Sequence, residues 1–400
     1  MKLNHLDYYR LPWNLTDNSI SWLEPTSKCN LYCDGCYRKN ENAHKSLQVI
    51  EEELNVFTRL RKCDGVSIAG GDPLTHPEIT EIVRMVKAKG LKPILNTNGL
   101  ALTKELLLEL KKAGVYGFTF HIDSKQSRPG WKDKNEIELN ELRYHYASMV
   151  AEAGNISCAF NSTVYEDTMR YVPEIAKWGQ KHIDIVQVIV FILYRAVNNT
   201  KVDFYLGSKI IDMGEFVYNE EVEERTDLKA EEIYELIKNE YPDFDSCAYL
   251  NGSEKPDSFK WLLSGRLGTK EKIYGYMGKK SMEIIQTFHH IMFDKYLAYS
   301  TPRMTRKGKS MLLLGLFDKG LKKTFFNFIK NPLNLFKRLH YQSVMIIQPV
   351  DFLEDGRQSM CDGCPDITVW NGQLVWSCRM EEQLKYGQNI RSFPKDSGKN

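Results

Sequence analysis

Strand-like segments alternate with helix-like segments in the first half of the chain, and this alternation is the strongest constraint on its fold. Between residues 19 and 195, short runs of β-branched and aromatic residues precede stretches with apolar residues at helical spacing, in about six successive units. Parallel strands need crossovers of this kind, so the pattern predicts a parallel sheet with helices outside it. Six units are fewer than the eight that complete a barrel. We therefore expect an α/β fold that falls short of a closed barrel.

The alternation ends near residue 196, and changes in composition divide the remainder of the 400-residue chain. We expect an α+β extension that carries a small metal-binding module of cysteines and a hairpin. The predicted segments are an amino-terminal extension (1–18), the β/α region (19–195), a mixed extension (196–300), a basic amphipathic segment (301–340), a cysteine module (341–380) and a polar tail (381–400).

Composition and charge limit the class of protein and its compartment. The net charge is only +2, which argues against a general binder of polyanions. The first ten residues lack the apolar core of a secretory signal, and the longest apolar run, 185–194, is too short to span a bilayer. We expect a cytoplasmic protein, whose nine cysteines serve as metal ligands or buried thiols rather than disulfides.

Three cysteines lie close together in the loop after the first predicted strand. Cys29, Cys33 and Cys36 form a C-x3-C-x2-C run. Four thiolates saturate a [4Fe–4S] cluster, whereas three leave one iron open to bind and activate a small molecule. Zinc is the alternative, and His44 is then the candidate for its fourth ligand.

Two more motifs follow the next strands: Gly70-Gly71-Asp72-Pro73 after the second and Asn96-Thr97-Asn98-Gly99 after the third. The cysteine run followed by Tyr37 resembles the signature of the radical S-adenosylmethionine (SAM) superfamily. The Gly-Gly motif is similar to the glycine-rich SAM-binding motif of that family, and the Asn-Thr-Asn-Gly motif matches a common family pattern. The resemblance covers residues 19–195 and implies a partial (β/α)6 barrel similar to a TIM barrel.

The resemblance also implies two cofactors, a [4Fe–4S] cluster on the three cysteines and SAM on its open iron. In such enzymes a reductant such as a flavodoxin or ferredoxin supplies an electron, SAM is cleaved, and a 5′-deoxyadenosyl radical abstracts hydrogen from the substrate. The carbonyls of the two glycines are expected to accept from the methionyl ammonium, and Asp72 stands where the family usually has Glu. The residues expected to bind SAM are Tyr37, Gly70, Gly71, Asp72, Pro73, Asn98, Asp123 and Ser124.

Polar residues after the fourth and fifth strands are candidates for contact with the substrate. These candidates are His121, Arg128 and Asn161. Arg128 belongs to the loop 127–132, which is either a lid or anion clamp over the site or an ordinary surface loop. For Asp123, Ser124 and His121 the alternative is a structural turn, a helix cap or a buried hydrogen bond. No residue is assigned as a general acid or base.

A second group of three cysteines lies near the carboxyl terminus. Cys361 and Cys364 are followed by two short strand patterns around Asn371-Gly372, and then by Cys378. Asn-Gly is a strong hairpin signal, and such a hairpin would return Cys378 to the first two cysteines. The arrangement loosely resembles the SPASM and twitch auxiliary-cluster modules of radical SAM enzymes. It predicts a second iron–sulfur cluster or a zinc ion, with Cys247 or Asp362 as candidates for a fourth ligand.

The segment 301–340 combines positive charge with large apolar side chains. It contains ten Lys and Arg residues and one acid, Asp318, for a net charge of +9. Phe317, Leu321, Phe325 and Phe328 recur at helical spacing among lysines. This pattern is typical of a helix that lies in the interface of an anionic membrane, although a helix packed on the barrel is the alternative. We do not expect nucleic acid as a partner, because the aliphatic residues offer it little to stack on.

Together these features predict a radical SAM enzyme that acts on a lipid or other amphiphile, cytoplasmic and peripheral on the inner face of the membrane. A maturase that modifies a ribosomal peptide is the second interpretation, because auxiliary modules of this type allow it. A metal-binding scaffold without catalysis is the third.

Overall fold

The computed structural model describes residues 3–198, 202–212, 219–220 and 225–395. The strands in this part of the chain are β1 (Tyr9–Arg10), β2 (Ile20–Thr26), β3 (Gly65–Gly70), β4 (Lys92–Thr97), β5 (Gly117–His121), β6 (Ser157–Val164), β7 (Val188–Leu193), β8 (Val197–Asn198), β9 (Val202–Leu206), β10 (Lys209–Ile211), β11 (Asn219–Glu220), β12 (Ala248–Leu250), β13 (Trp261–Gly268), β14 (Ile273–Tyr276), β15 (His340–Ile347), β16 (Asp351–Phe352), β17 (Gln358–Ser359), β18 (Ile367–Trp370), β19 (Gln373–Trp376) and β20 (Arg391–Pro394).

The helices connect these strands, and the first five of them pack on one face of the main sheet. The helices are α1 (Leu47–Leu60), α2 (Ile79–Ala88), α3 (Lys104–Ala113), α4 (Asn140–Ala153), α5 (Val172–Lys181), α6 (Ala230–Glu240), α7 (Lys279–Phe293), α8 (Pro302–Thr305), α9 (Gly308–Met311), α10 (Lys319–Ile329) and α11 (Met380–Tyr386).

The main sheet confirms the predicted partial (β/α)6 barrel. Strands β2 to β7 pair in chain order, every pairing is parallel, and helices α1 to α5 connect them. The sheet does not close within the described residues. Beyond β7 it continues through β15, which is parallel to β7, and then through β13, β12 and β1. A strand from the carboxyl-terminal part of the chain therefore extends the parallel sheet.

The core on the outer face of the sheet follows from helical periodicity. Phe57 of α1, Val83 of α2 and Leu107 of α3 lie in one buried apolar cluster with Phe118 of β5. Helix α3 shows the local signals clearly, since Thr103 caps it by accepting from the Leu106 amide. Gly114 ends it with a φ of 99°, which favours glycine.

The segment after α7 packs across the amino end of strands β3 to β5. The Ala298 amide donates to Asp64 just before β3, and the hydroxyl of Tyr116, just before β5, donates to the Tyr299 carbonyl. The Tyr299 side chain extends inward to Thr119 of β5, with 3.2 Å between the hydroxyl oxygens. The opposite, carboxyl end of the strands is left for the cysteine loop.

Several predicted segment boundaries do not separate independent units. Four strands from other predicted segments extend the barrel sheet. Strand β1 lies in 1–18, β12 and β13 lie in 196–300, and β15 begins at the end of the basic segment and continues into 341–380. The predicted polar tail is wrong for its first part, because α11 is helical and β20 pairs with β9. Residues 396–400 of that tail, and parts of 196–300, lie outside the described residues.

The basic segment contains the predicted helix, but its apolar stripe faces inward. Leu321 and Phe328 of α10 are fully buried, and Phe328 makes an edge contact with Tyr274 of β14. The prediction that this stripe faces a membrane is therefore wrong for these two residues. Phe317 and Phe325 are exposed instead. Among the described residues, no helix combines the length and the apolar character needed to cross a membrane.

Candidate functional site

The first cysteine group lies on the loop between β2 and α1, at the carboxyl end of the half-barrel. Asn40 holds this loop, because it accepts from the Cys29 amide at 2.9 Å and donates to the Cys29 carbonyl at 3.1 Å. Tyr165, after β6, accepts from the Gly35 amide at 3.0 Å. The cysteine motif did not predict the roles of Asn40 and Tyr165, because both residues lie outside the motif and reach the loop only in the folded chain.

The environment of the three thiols is partly buried. Burial raises the pKa of Cys29, Cys33 and Cys36, and for Cys33 the charges of Asp123 and of the other two thiols add to this effect. The Leu31 amide lies 3.4 Å from the Cys29 sulfur, and Asn98 Nδ2 lies 3.7 Å from it. Hydrogen-bond donors directed at a cysteine sulfur stabilise its thiolate form, which is the form that binds metal.

The three thiols of the cysteine loop suit an iron–sulfur cube. Zinc needs its ligands around one centre, whereas a cube takes each thiolate on a different iron. His44, the candidate fourth zinc ligand, packs edge-on against His76 with 5.2 Å between ring centres. The structure therefore gives the zinc alternative no fourth ligand there.

The Gly70-Gly71 turn packs against the chain that leads into the cysteine loop. A Cβ on Gly70 would lie 2.3 Å from the Thr26 carbonyl oxygen, and one on Gly71 would lie 2.2 Å from that of Lys28. The Gly71 amide donates to Thr26 and the Asp72 amide to Lys28, both at 2.8 Å. Glycine is thus required here by a close approach of two backbones, which positions Cys29.

Asp72 is a positioning residue whose carboxylate is fully used by the protein. It accepts from the Leu74 amide, the Asn98 amide and the Thr97 hydroxyl at 2.7–3.0 Å, and it is only 1% exposed. Burial raises its pKa, and these donors oppose the increase. The expected contact of this side chain with SAM is not supported. Pro73 is also buried, in the short turn that Asp72 caps.

Asn98 and Arg128 lie next to the cysteines. Asn98 donates to Asn30 at 2.7 Å, and its carbonyl accepts from Arg128 Nη2 at 2.8 Å. Arg128 is 3% exposed, and the charge of Cys33 acts on it. Its Nε and Nη1 groups have no hydrogen-bond partner within the described part of the chain. A buried guanidinium with free N–H groups is a strong site for a carboxylate.

Asp123, which is buried, pairs with the partly exposed His121 at the end of β5. His121 Nε2 lies 3.0 Å from Asp123 Oδ2 and 2.9 Å from the Thr163 hydroxyl. Burial alone would raise the pKa of Asp123, but the hydrogen bond and charge of His121 hold it below its usual value. Asp123 therefore carries negative charge at the mouth of the barrel, close to Cys33.

The remaining candidates make contacts with other parts of the protein. The Ser124 amide is bound by Glu136, which in turn pairs with the buried Arg143 at 2.5 Å. Asn161 is opposite His121 in the β5–β6 register and lines a cavity inside the barrel. The Tyr37 hydroxyl lies 3.4 Å from Glu24, beneath the cysteine loop.

The hairpin predicted beside the second cysteine group forms. Strands β18 and β19 pair across Asn371 and Gly372, which both have positive φ. The thiols of Cys361 and Cys364 lie near enough to affect each other's pKa, and Cys378 interacts electrostatically with both.

Neither predicted fourth ligand of this group is available. Asp362 pairs with Arg10 at 2.8 Å, and the Cys247 thiol donates to the Leu263 carbonyl at 3.2 Å. Asp366, which the sequence did not single out, exerts its charge on Cys361 and Cys378, and burial raises its pKa to about 7. Asp366 is therefore the carboxyl group that the fold places beside these thiols.

A buried ion pair connects the two cysteine groups. Arg38 lies 2.6 Å from Glu24 and donates to the Ser377 carbonyl at 2.9 Å. The Cys36 thiol donates to the Arg38 carbonyl at 3.2 Å, so Arg38 contacts both the residue before Cys378 and the first cysteine loop. The spacing of the motifs did not predict this connection.

Two cavities flank these groups. A cleft of about 1020 Å³ between the cysteine loop, α1 and the β18–β19 hairpin is lined by charged residues of both signs together with apolar side chains such as Val49 and Leu384. A second cavity of about 510 Å³ lies inside the half-barrel, with mostly apolar walls and with Trp22 and Asn96 among its lining residues. The interior cavity is the closer in character to a substrate site.

A half-barrel with three cysteines on a loop at the carboxyl end of its strands is an arrangement typical of enzymes that bind an iron–sulfur cluster. Residues 23–178 match the model of the radical SAM superfamily. This region is therefore similar to the radical SAM superfamily, whose members use a [4Fe–4S] cluster and SAM and draw on an electron donor.

Named relatives match part of this chain. The chain is 35% identical over 107 residues to the AdoMet-dependent heme synthase of Methanosarcina barkeri, which is 26% of this chain and 30% of the relative. It is 32% identical over 103 residues to a probable GTP 3′,8-cyclase of Methanocaldococcus jannaschii, which is 25% of this chain and 34% of the relative. The match thus spans about a third of the length of these relatives.

A solved structure shows a more distant likeness. SuiB of Streptococcus suis bound to S-adenosylmethionine is 15% identical, with a TM-score of 0.40, over 57% of this chain and 47% of that one. The likeness is too distant to carry an argument about function.

Proposed function

We propose that this protein cleaves SAM reductively at a [4Fe–4S] cluster held by Cys29, Cys33 and Cys36, and abstracts hydrogen from a lipid or other amphiphile at a membrane surface. When bound, the reduced cluster supplies the electron that breaks the C5′–S bond of SAM. The protein's own residues hold the cluster, fix the orientation of SAM and keep water from the site.

The free N–H groups of Arg128 support the SAM part of the proposal. These N–H groups lie near Cys33, at the carboxyl end of the strands. The methionyl carboxylate of SAM is an anion that they would bind. Asp123, held in its charged form by His121, is the matching acceptor for a hydroxyl or ammonium group. These two charges would orient a zwitterionic ligand over the open iron.

The exposed apolar side chains of α7 and of the basic segment are the observation that carries the membrane part. They are Phe288, Ile291, Met292, Phe293, Leu313, Leu316, Phe317, Leu333, Leu335 and Phe336. We call these residues the amino-end apolar surface. Ten basic residues against one acid lie in 301–340. Exposed apolar side chains with surrounding cations are typical of a protein that binds an anionic bilayer.

Catalysis is tested by anaerobic reconstitution with iron, sulfide, SAM and dithionite. We expect 5′-deoxyadenosine from the wild type and none from Cys33→Ala. Reconstituted protein with a full [4Fe–4S] spectrum that yields no 5′-deoxyadenosine would contradict the proposed cleavage.

Membrane binding is tested by co-sedimentation with vesicles of phosphatidylcholine, with and without phosphatidylglycerol. Lys319 and Lys322 are exposed on α10. Since each cation near an anionic leaflet contributes about 1 kcal/mol, the double variant Lys319→Glu/Lys322→Glu should weaken binding by about 30-fold or more. The matched control is Lys104→Glu/Lys112→Glu on α3, which should bind as the wild type does. Equal binding to neutral vesicles, or none to either, would remove the support for a lipid and favour a soluble substrate such as a peptide.

A further inference from the structure

We propose that the cavity inside the half-barrel binds the apolar tail of a membrane amphiphile, which enters at the amino end of the strands, opposite the cysteine loop. This inference rests on the proposed function and specifies how its substrate is held. It makes the barrel a channel between a membrane-facing surface and the site of chemistry.

The cavity runs along the inside of the barrel. Its walls include Trp13, Trp261, Met277 and Met345, and its volume of about 510 Å³ is in the range of cavities that bury a drug-sized ligand. Trp and Met side chains provide a large, adaptable apolar surface, which suits a flexible chain better than a rigid polar ligand.

One end of the cavity lies beneath the cysteine loop. Trp22 lines the cavity, and its indole N–H donates to Glu24 at 2.9 Å. Glu24 in turn holds Arg38 and Tyr37, which follow Cys36 directly. The carboxyl end of the cavity is thus separated from the first cysteine group by a single layer of side chains.

The other end opens at the amino end of the strands, within the basic segment. Met304, Lys307 and Ser310 line the cavity and are also exposed to solvent. Met304 is 50% exposed, although it contributes to an apolar wall. These residues form the rim of an opening, with Lys307 placed to attract an anionic head group.

The rim adjoins the amino-end apolar surface. Lys309 Nζ donates to the Leu335 carbonyl at 2.6 Å, which joins the rim to the exposed residues 333–336. Leu313 and Leu316, a few residues after the rim, are 72% and 86% exposed. A chain could therefore pass from a bilayer into the cavity along apolar side chains, without its methylene groups entering water.

Two amide groups inside the cavity have free donors. Asn96 Nδ2 on β4 and Gln187 Nε2 beside β7 are buried and have no hydrogen-bond partner among the described residues. Buried donors without acceptors cost free energy, so a ligand with oxygen acceptors along or near its tail would satisfy them. The substrate class that fits is an amphiphile with a long apolar body that carries carbonyl, ester or hydroxyl oxygen.

The direction in which the tail enters the cavity decides which of its carbons reaches the cysteine loop. A tail that enters at the rim leaves its head group near Lys307 and brings its far end towards the cysteine loop. We therefore expect hydrogen to be removed from a carbon remote from the head group.

The experiment uses full-length holoprotein and dibromostearate, whose bromine atoms quench nearby tryptophan. Three of the seven tryptophans, Trp13, Trp22 and Trp261, line the cavity, so we expect saturable, partial quenching. Ser343 on β15 faces the cavity, and Ser343→Phe should weaken the binding that quenching reports by about tenfold or more, because it fills the space. The matched control, Ser208→Phe, changes an exposed turn and should leave quenching unchanged.

Val188→Phe is the second cavity-filling variant, for use if Ser343→Phe lowers the melting temperature. Quenching that is absent, or equal in wild type and in folded cavity-filling variants, would overturn the cavity proposal. Vesicle binding and 5′-deoxyadenosine formation by the same samples test the proposed function separately. Normal results in those two assays with no quenching would reject the cavity while leaving the proposed function in place.

Discussion

The two cysteine groups use the same number of thiols in opposite settings. Cys29, Cys33 and Cys36 lie on one loop, partly exposed, beside an arginine with free donors. Cys361 and Cys364 are buried, at 8% and 9% exposure, and the third thiol reaches them only through a hairpin. All three thiols of the first group are partly exposed, whereas in the second group only Cys378 is.

The surroundings of each group explain the difference. The loop of the first group is held from outside its motif, by Asn40, Tyr165 and the Gly70-Gly71 turn, which leaves one side free. The turn that carries Cys361 and Cys364 is bound through its backbone. Asn18 donates to the Gly363 carbonyl at 3.0 Å, and Arg61 donates to the Cys364 carbonyl at 2.9 Å. Supporting a loop from one side allows chemistry, whereas enclosing it on all sides favours a structural or electron-transfer role.

Removal of a thiol from the first group should have the largest effect. Cys33→Ala should lose about four irons per chain and reduce 5′-deoxyadenosine formation to background, because the remaining two thiolates cannot hold a cube. Iron analysis and product chromatography measure this. Cys158→Ala, a change at a fully buried lone cysteine, should keep both. Retained SAM cleavage in Cys33→Ala would remove the distinction between the two groups.

Removal of a thiol from the second group should affect stability more than SAM cleavage. Cys364→Ser should lower the free energy of unfolding by about 3 kcal/mol or more, because metal binding at an enclosed site contributes to folding. Anaerobic denaturant unfolding and metal analysis test this, and basal 5′-deoxyadenosine formation should persist. If stability and metal content were unchanged, the second group would be a thiol cluster without metal.

The arginine beside the first group should control affinity for SAM. Arg128→Gln should raise the Kd for SAM by about 10- to 100-fold, since a charge-assisted hydrogen bond contributes about 1.5–3 kcal/mol. Iron content should not change, and Arg128→Lys should recover part of the affinity. Lys132→Gln, in the same loop but exposed, is the control for equilibrium dialysis. An unchanged Kd would show that Arg128 is only structural.

Loosening the turn that supports the first group should have the smallest effect. Asp72→Asn replaces an acceptor of several hydrogen bonds with a group that presents a donor to the Asn98 amide. We expect a loss of about 1–3 kcal/mol in the free energy of unfolding and slower SAM cleavage, with the second metal group unaffected. Thermal unfolding and initial rates measure the two effects. A larger loss in Cys361–Cys364 metal content than in the first cluster would contradict this assignment.

Local patterns predicted those parts of the molecule that depend on neighbouring residues. The alternation between 19 and 195 predicted strands β2 to β7 and their order, and Asn371-Gly372 predicted the hairpin. The short spacing of Cys29, Cys33 and Cys36 placed them together on one loop for the same reason. Side-chain periodicity and turn geometry are properties of a few adjacent residues, so a single sequence can reveal them.

Local patterns failed where the partner is distant in sequence. The stripe of Leu321 and Phe328 was assigned to a membrane, because periodicity shows that a helix has an apolar face but not what that face contacts. Asp72 was assigned to SAM, although its partners, Thr97 and the Asn98 amide, belong to the next strand end.

The sequence alone determined the class of chemistry: three thiols on one loop at a strand end, and a half-barrel to support them. Only the tertiary structure decided what surrounds those thiols, which polar groups remain free beside them, and that the barrel encloses an apolar cavity. The reason is physical. Ligand spacing and periodicity are set along the chain, whereas burial, free hydrogen-bonding groups and cavities arise only where segments far apart in sequence pack together.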